Sequence, residues 1–177
     1  MSKRFYTDTM FAKVRSIRSN TCAQVWTDGL GYDLFYPLKT KRDAYTTICK
    51  MAYDLQAIPE TIVSDDAREQ KGQKWIDEIN RLRTQHHLTE PDSPWQNRAE
   101  RNVGIIKQGI RRASRRSGSP KRLWDYCGKW IAAIRRKTAH DYMELDGFTP
   151  EEAVLGHVSD ISEYAQFDWY EYCWYID

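Results

Sequence analysis

The sequence predicts an α/β fold with a mixed five-stranded sheet flanked by helices. Runs of aromatic and β-favouring residues before residue 40, broken by a Gly-containing turn, predict an antiparallel meander. A helix-spaced apolar segment then leads into a further short apolar strand, which predicts a crossover and parallel pairing. A sheet with both kinds of pairing is mixed. With 177 residues and 41% hydrophobic residues, the chain can bury a core.

The opening meander consists of three predicted strands. Arg4–Phe11 (RFYTDTMF) and Thr21–Thr27 (TCAQVWT) are rich in residues that favour strands. Asp28-Gly29 predicts a hairpin turn, after which Tyr32–Leu38 returns as the third strand. Asp8 lies midway along the first strand, where a carboxylate is costly to bury unless it is paired or binds a metal.

The crossover begins with a predicted helix over Lys41–Leu55, which has apolar residues on one face. Thr61–Ser64 (TIVS) is a short strand that places Asp65 at its carboxyl end, where active residues of such sheets collect. A second helix over Gln70–Arg83 and a brief strand over His86–Thr89 complete the predicted sheet.

A Pro-rich loop then enters a long helix with two stripes. The stripe predicted to face the core consists of Ala99, Val103, Ile106, Ile110 and Ala113. A neighbouring stripe consists of Gln96, Glu100, Lys107 and Arg111. Gly118-Ser119-Pro120 ends the helix, Lys121–Lys137 is predicted to form another, and Pro150–Leu155 a short one.

Charge is distributed unevenly along the chain. The formal net charge is only +2, yet residues 98–137 hold 13 Lys or Arg against two acids, a local balance of +11. Residues 138–177 hold ten acids and no Lys or Arg. This separation predicts a face that binds a polyanion, most simply nucleic acid, followed by an acidic trailing segment.

The four cysteines lack the close spacing of a metal motif. Cys22, Cys49, Cys127 and Cys173 form no CxxC pair, which predicts buried free thiols in a reducing compartment and no structural zinc. Neither a secretory leader nor an apolar run long enough to span a membrane is visible, so we expect a soluble intracellular domain.

Three acids are candidate metal ligands: Asp8, Asp65 and Glu100. Glu100 is isolated among basic residues, as expected for a metal ligand next to a phosphate backbone. Carboxylates from two adjacent strands and a helix can hold two Mg²⁺ or Mn²⁺ ions for phosphoryl transfer. Two of the three have a structural alternative, because Asp65 alone is also consistent with a helix cap and Glu100 with a salt bridge. Asp28 competes with Asp8 but is better explained as a turn residue.

These residues occur within segments that resemble the catalytic core of retroviral-type integrases, most closely that of copia-type LTR retrotransposons. The matching segments are YTDT around Asp8, TDGLGY followed by YPLKTK, VSDDAREQ around Asp65, TEPDSPWQNRAER around Glu100, and GFTPEEAVLG with DIS near the end. There are 34 residues between Asp65 and Glu100, one fewer than usual in the aspartate–aspartate–glutamate signature. Asp66 and Arg98 stand where the family commonly has Asn and Gly.

The resemblance implies a ribonuclease-H-like fold, a two-metal site, and both 3′-end processing and strand transfer on double-stranded DNA. It also implies a homodimer or higher oligomer and nuclear action. Gln96 would lie near the DNA end and Lys107 would grip the donor backbone. The full set of residues expected to bind DNA is Gln96, Asn97, Arg98, Arg101, Lys107 and Arg111.

We expect residues 1–140 to form the core and residues 141–177 to form an acidic, aromatic-rich extension of it. The flanking zinc and DNA-binding domains of full integrases are not recognisable, so the chain is expected to be a module of a longer polyprotein. Two other functions stay open: a non-catalytic DNA-binding or assembly module, and a ribonuclease H that acts on RNA–DNA hybrids.

Overall fold

The computed structural model describes residues 4–65, 67, 70–89, 98–157 and 160–173. Its strands are β1 (Arg4–Phe11), β2 (Cys22–Thr27), β3 (Asp33–Leu38), β4 (Thr61–Ser64) and β5 (Gln85–Leu88). Its helices are α1 (Thr46–Leu55), α2 (Gln73–Leu82), α3 (Arg98–Ser117), α4 (Trp124–Lys137), α5 (Pro150–Leu155) and α6 (Ser162–Gln166).

The five described strands form one mixed sheet in the order β3-β2-β1-β4-β5. The meander β1-β2-β3 is antiparallel, whereas β4 pairs parallel to β1 and β5 parallel to β4. Thr7 of β1 lies opposite Ser64 of β4, and Asp8 lies opposite Val25 of β2. The predicted fold class is therefore confirmed, with β1 at the centre of the sheet.

Helices cover both faces of the sheet because both faces are apolar. On one face, Phe5, Trp26 and Ile62 pack in a cluster with residues of α1 and α2. The ring of Trp26 stacks on that of Trp75 from α2 with centroids 5.8 Å apart. Two such large side chains remove much apolar surface from water, so they anchor the crossover helices to the sheet.

The opposite face carries α3 and α4. Val103 and Ile106 of α3 pack with Met10, Val25 and Phe35 of the sheet. The predicted core stripe of α3 is confirmed by the burial of its first three members and by Ile110, which packs against the cluster from its edge. Alternation along β1 therefore directs Tyr6, Asp8 and Met10 toward α3.

The structure differs from the predicted elements mainly at helix ends. The segment predicted as the start of the first helix is instead a 3₁₀ turn at Lys41–Asp43, and α1 begins at Thr46. The prediction also missed α6, whose five residues give too short a pattern to detect. All four cysteines are free, but only Cys22 and Cys127 are buried, so the expectation of uniformly buried thiols was wrong for Cys49 and Cys173.

The chain after α4 continues the core. Thr149 and Glu152 form a capping box that starts α5, and Val154 joins the cluster under α1 and α2. The proposed division of the chain at residue 140 stays a prediction. Among the described helices, none combines the length and apolar character that a membrane crossing requires.

Candidate functional site

The middle of β1 and the carboxyl end of β4 bring two of the predicted acids together. The pairing of these parallel strands ends at Thr7 and Ser64, and Asp8 and Asp65 are the next residue on each. Neighbouring strands lie about 4.8 Å apart, so consecutive residues beyond a parallel pair remain neighbours. The adjacency of Asp8 and Asp65 therefore follows from register.

The first turn of α3 places Glu100 at the same end of the sheet. Ala99 is fully buried and packs against Tyr6 and Val63 in a small separate cluster. Tyr6 precedes Asp8 by two residues, and Val63 precedes Asp65 by two. Because Ala99 docks on this pair, Glu100 lies at the same end of the sheet, near enough for its charge to act on Asp8. Glu100 itself is exposed.

The electrostatics of Asp8 show that the three acids share one field. Burial is the main cause that raises the pKa of the half-buried Asp8 carboxyl. The backbone N–H of Thr9, which donates to Asp8 Oδ1 at 2.6 Å, acts in the opposite direction. The negative charges of Asp65 and Glu100 raise the pKa of Asp8 further, whereas the Lys107 ammonium lowers it.

The plain alternatives for Asp65 and Glu100 find little support in the described residues. Asp65 Oδ1 accepts the N–H of Ala67 at a long 3.4 Å, and the residue that caps α2 is Gly72. None of the ion pairs recorded among the described residues involves Glu100. Among the described residues, Asp65 is therefore not engaged in capping a helix, and Glu100 is not engaged in an ion pair.

The donor chemistry fits a hard divalent cation. Carboxylate oxygens are the ligands that Mg²⁺ and Mn²⁺ prefer, and the mutual repulsion that raises the pKa of Asp8 is what a cation would relieve. Within the described residues, however, no three His, Cys, Asp or Glu side chains stand close enough together to form a ready-made metal cage. The three carboxylates influence one another electrostatically, but they do not form a closed set of metal ligands.

The acid that competed with Asp8 has a local role. Asp28 is 5% exposed, and its Oδ1 accepts the N–H groups of Leu30 and Tyr32 at 2.8 and 3.1 Å. Burial raises the pKa of Asp28 to about 6, against these two hydrogen bonds. These contacts are those of a turn residue, so the structural interpretation of Asp28 is confirmed.

Arg98 is exposed and lies over this turn, and its contact with DNA stays a prediction. A Cβ at Gly29 (φ +86°) would collide with Arg98 Cδ, so the stem of Arg98 lies directly on the glycine backbone. The Arg98 guanidinium stands 5.8 Å from the ring centroid of Tyr6. The hairpin turn thereby contacts the first residue of α3. The close approach of Arg98 and the positive φ together explain why glycine occupies position 29.

The other predicted basic residues follow α3 away from the acids. Arg101 and Arg111 are exposed, and Lys107 is half-buried within the field of Asp8. Between Glu100 and Lys107, a Cβ added at Gly104 would meet no neighbouring element within 4 Å among the described residues. In that part of the chain, nothing covers the surface between the acid and the lysine. Asp66, Gln96 and Asn97 lie outside the described residues.

A buried polar network that the sequence analysis missed fixes the start of α3. The Asn102 amide donates to Thr27 Oγ1 and to the Arg98 carbonyl, each at 3.2 Å. Arg135 of α4 donates to Asn102 Oδ1 at 3.2 Å and to the fully buried Asp33 at 2.6 Å. The signal was present, since Asn102 lies within the apolar stripe of α3 at helical spacing.

Comparison with known proteins identifies the fold. No protein-family model matches the sequence, and no curated protein matches it. Among solved structures, the HTLV-2 integrase catalytic core domain in complex with magnesium (trimeric form) is similar, with a TM-score of 0.66 and 15% identity over 86% of this chain and 96% of that one. The chain thus has the ribonuclease-H-like fold of integrase catalytic cores.

A second structural neighbour is a chain of the simian T-cell lymphotropic virus intasome in complex with PP2A regulatory subunit B56 gamma. The TM-score is 0.69, with 15% identity over 85% of this chain. The aligned part covers 53% of the intasome chain, so this chain spans about half the length of that neighbour. At 15% identity, both likenesses establish the fold and nothing finer.

Proposed function

We propose that this chain is the catalytic core of a DNA integrase of the copia retrotransposon type, a metal-dependent polynucleotidyl transferase. The observation that carries the proposal is that Asp8, at the middle of β1, lies next to Asp65 at the carboxyl end of β4 and within the electrostatic reach of Glu100. Three acids brought together beside a basic helix are costly unless a cation or its ligand compensates them. The fold common to integrase cores supports the same conclusion.

In this proposal Asp8, Asp65 and Glu100 hold two divalent cations, with Mg²⁺ or Mn²⁺ as the natural choice. Two such ions, when bound, supply the positive charge that stabilises an in-line phosphoryl displacement. The half-buried Asp8 is deprotonated for this role, which its raised pKa makes dependent on pH. The reactions proposed are 3′-end processing and strand transfer.

The remaining residues bind and orient DNA. Lys107 lies one helical repeat beyond Glu100, so its ammonium is suited to a phosphate next to the reacting one. Arg101 and Arg111 add exposed charge on the same helix, and the described residues leave the surface at Gly104 clear for the DNA backbone. Gln96 and Asn97 are proposed contacts to the DNA end. Double-stranded DNA, a homodimer or higher oligomer, and nuclear action belong to the same proposal.

The test is a nicking and strand-transfer assay on a labelled DNA duplex, with Mg²⁺ present or chelated. The chain should act only with the metal, and Glu100→Gln should lose activity while keeping its affinity for the duplex. Glu144→Gln is the matched control, since it removes an exposed glutamate far along the chain.

The outcomes separate the alternatives. Activity of Glu100→Gln equal to that of Glu144→Gln would remove Glu100 from the site. Cleavage of an RNA–DNA hybrid without strand transfer would indicate a ribonuclease H. Duplex binding without any metal-dependent cleavage would indicate a non-catalytic assembly module.

A further inference from the structure

The far end of α3 carries a second basic surface that the proposed site does not use. Arg112 and Arg116 belong to it, and both lie on the side of the helix turned away from Glu100. Arg116 lies 16 positions after Glu100, which corresponds to about 24 Å along the helix axis and about 160° around it. A duplex lying on Glu100 and Lys107 therefore cannot reach Arg116 by following the same face.

This surface is covered by the acidic C-terminal segment. The Arg116 guanidinium and the Asp168 carboxylate form an ion pair at 2.6 Å, with side chains that are 79% and 58% exposed. Both groups are well solvated, so the pair contributes little to the stability of the fold. Another anion can therefore displace Asp168 from Arg116 at little energetic cost.

The segment is held in place by an aromatic anchor. Trp169, the neighbour of Asp168, donates its indole N–H to Ser119 Oγ at 3.0 Å. Its ring packs against Trp130 of α4 with centroids 6.0 Å apart. The next residues form a tight turn in which the Glu171 N–H donates to the Asp168 carbonyl at 3.3 Å. The anchor thus keeps the carboxylate of Asp168 next to Arg116.

A groove remains between the helices and this turn. It has a volume of about 460 Å³, and its lining includes Arg112, Arg116, Trp130, Trp169 and Tyr170 together with the two acids of the turn, Asp168 and Glu171. Guanidinium groups beside aromatic rings are the chemistry that binds a nucleic-acid backbone. Asp168 occupies the position that a phosphate would take on Arg116.

We propose that the far end of α3 is a second binding surface for the phosphate backbone of duplex DNA, and that the turn of residues 168–171 covers it as an intramolecular competitor. The proposal rests on DNA being the ligand of the proposed function. In addition to the DNA at Glu100, a second segment of duplex would bind at the far end of α3. The turn of residues 168–171 would weaken the binding of this second segment.

The test measures duplex affinity by fluorescence anisotropy across a salt series, with metal chelated so that the acids at Glu100 take no part. Asp168→Asn should tighten binding about two- to fivefold at low salt, the range expected for release of one exposed ion pair. The slope of log affinity against log salt should steepen by about one counterion, as for one added phosphate contact.

Two further variants make the result specific. Asp160→Asn is the matched control, because it removes the same charge from the same segment. Asp160 accepts a hydrogen bond from the N–H of Ser162 and, among the described residues, is not paired with an arginine, so this variant should change duplex affinity less than Asp168→Asn does. Arg116→Gln combined with Asp168→Asn should abolish the gain. Equal affinities of Asp168→Asn and Asp160→Asn, or a gain that survives in the double variant, would overturn the proposal.

The proposed function and this further inference can be refuted independently. Metal-dependent cleavage with no difference between the two asparagine variants would leave that function standing and refute the competitor alone. Failure of every variant to bind the duplex would refute both.

Discussion

Asp8 and Asp33 are two aspartates of the same sheet that the fold treats in opposite ways. Asp33 is fully buried, and Arg135 compensates it at 2.6 Å within a network that reaches Asn102. Asp8 is half-buried, and its strongest charged neighbours are two other acids. The compensated carboxylate holds α3 and α4 to the sheet. Within the described part of the chain, Asp8 has no paired base and meets mainly negative charge, as expected of the metal ligand proposed above.

The largest expected effect tests the uncompensated side. Asp8→Asn should lower metal-dependent cleavage at least ~10³-fold, because a lost metal ligand removes several kcal/mol of transition-state stabilisation. Cleavage rates in excess Mg²⁺ measure this. Asp28→Asn is the matched control and should stay within about threefold, since an amide oxygen accepts the same N–H groups. An active Asp8 variant beside an inactive Asp28 variant would reverse the assignment.

The same Asp8 variant should also be more stable than wild type without metal at neutral pH. The folded-state pKa of Asp8 is raised, so the stabilising effect of its protonated form is present at low pH and is lost as pH rises through that pKa. The variant escapes this loss. The difference should shrink as pH falls below about 4, where wild-type Asp8 becomes protonated in the unfolded as well as the folded state. Urea unfolding with chelator at several pH values checks the sign.

The compensated side predicts a loss of stability. Arg135→Gln leaves Asp33 buried without its counter-charge, which should cost about 3–5 kcal/mol in free energy of unfolding. Arg115→Gln removes an exposed arginine and should change stability by less than about 0.5 kcal/mol. Urea midpoints measure both. Adding Asp33→Asn to the Arg135 variant should recover part of the loss, and equal stability of the two arginine variants would show that the network is not needed.

A third carboxylate sharpens the comparison through pH. The pKa of Asp28 is raised to about 6 by burial, so wild type should lose up to about 3 kcal/mol of stability as pH rises from about 4 to 6. Asp28→Asn cannot ionise and should lack this loss, which makes it more stable than wild type at pH 7. Thermal melts across this interval measure it. Parallel stability profiles for the two proteins would show that Asp28 ionises freely in the fold.

The smallest effect concerns the lysine beside the acids. Lys107→Ala should weaken duplex binding and reduce the slope of log affinity against log salt by about one counterion. Lys129→Ala, on the exposed face of α4, is the matched control for charge. Because Lys107 lowers the pKa of Asp8, its removal should also move the onset of metal-dependent activity to higher pH. An unchanged salt slope would show that Lys107 does not contact phosphate.

Much of the fold was predictable because its signals are local. The strands β1 and β4 and the helix α5 begin and end at the predicted residues, since apolar runs, the Asp28-Gly29 turn and the Thr149 cap depend on near neighbours. The apolar stripe of α3 was predictable for the same reason. The carboxyl end of β4 also pointed to Asp65 before any register was known.

Tertiary structure decided which carboxylates are compensated. Asp33 and Arg135 are about a hundred residues apart in the chain, and no local pattern links them. No local pattern predicts that Ala99 packs on Tyr6 and Val63, which places Glu100 at the end of the sheet where the aspartates lie. Nor does one predict that the side chain of Arg98 packs on Gly29. By itself, the sequence determined where each charge lies along its own element. Only the packing of α3 and α4 on the sheet decided which charges meet, because electrostatic energy depends on distance and burial in space.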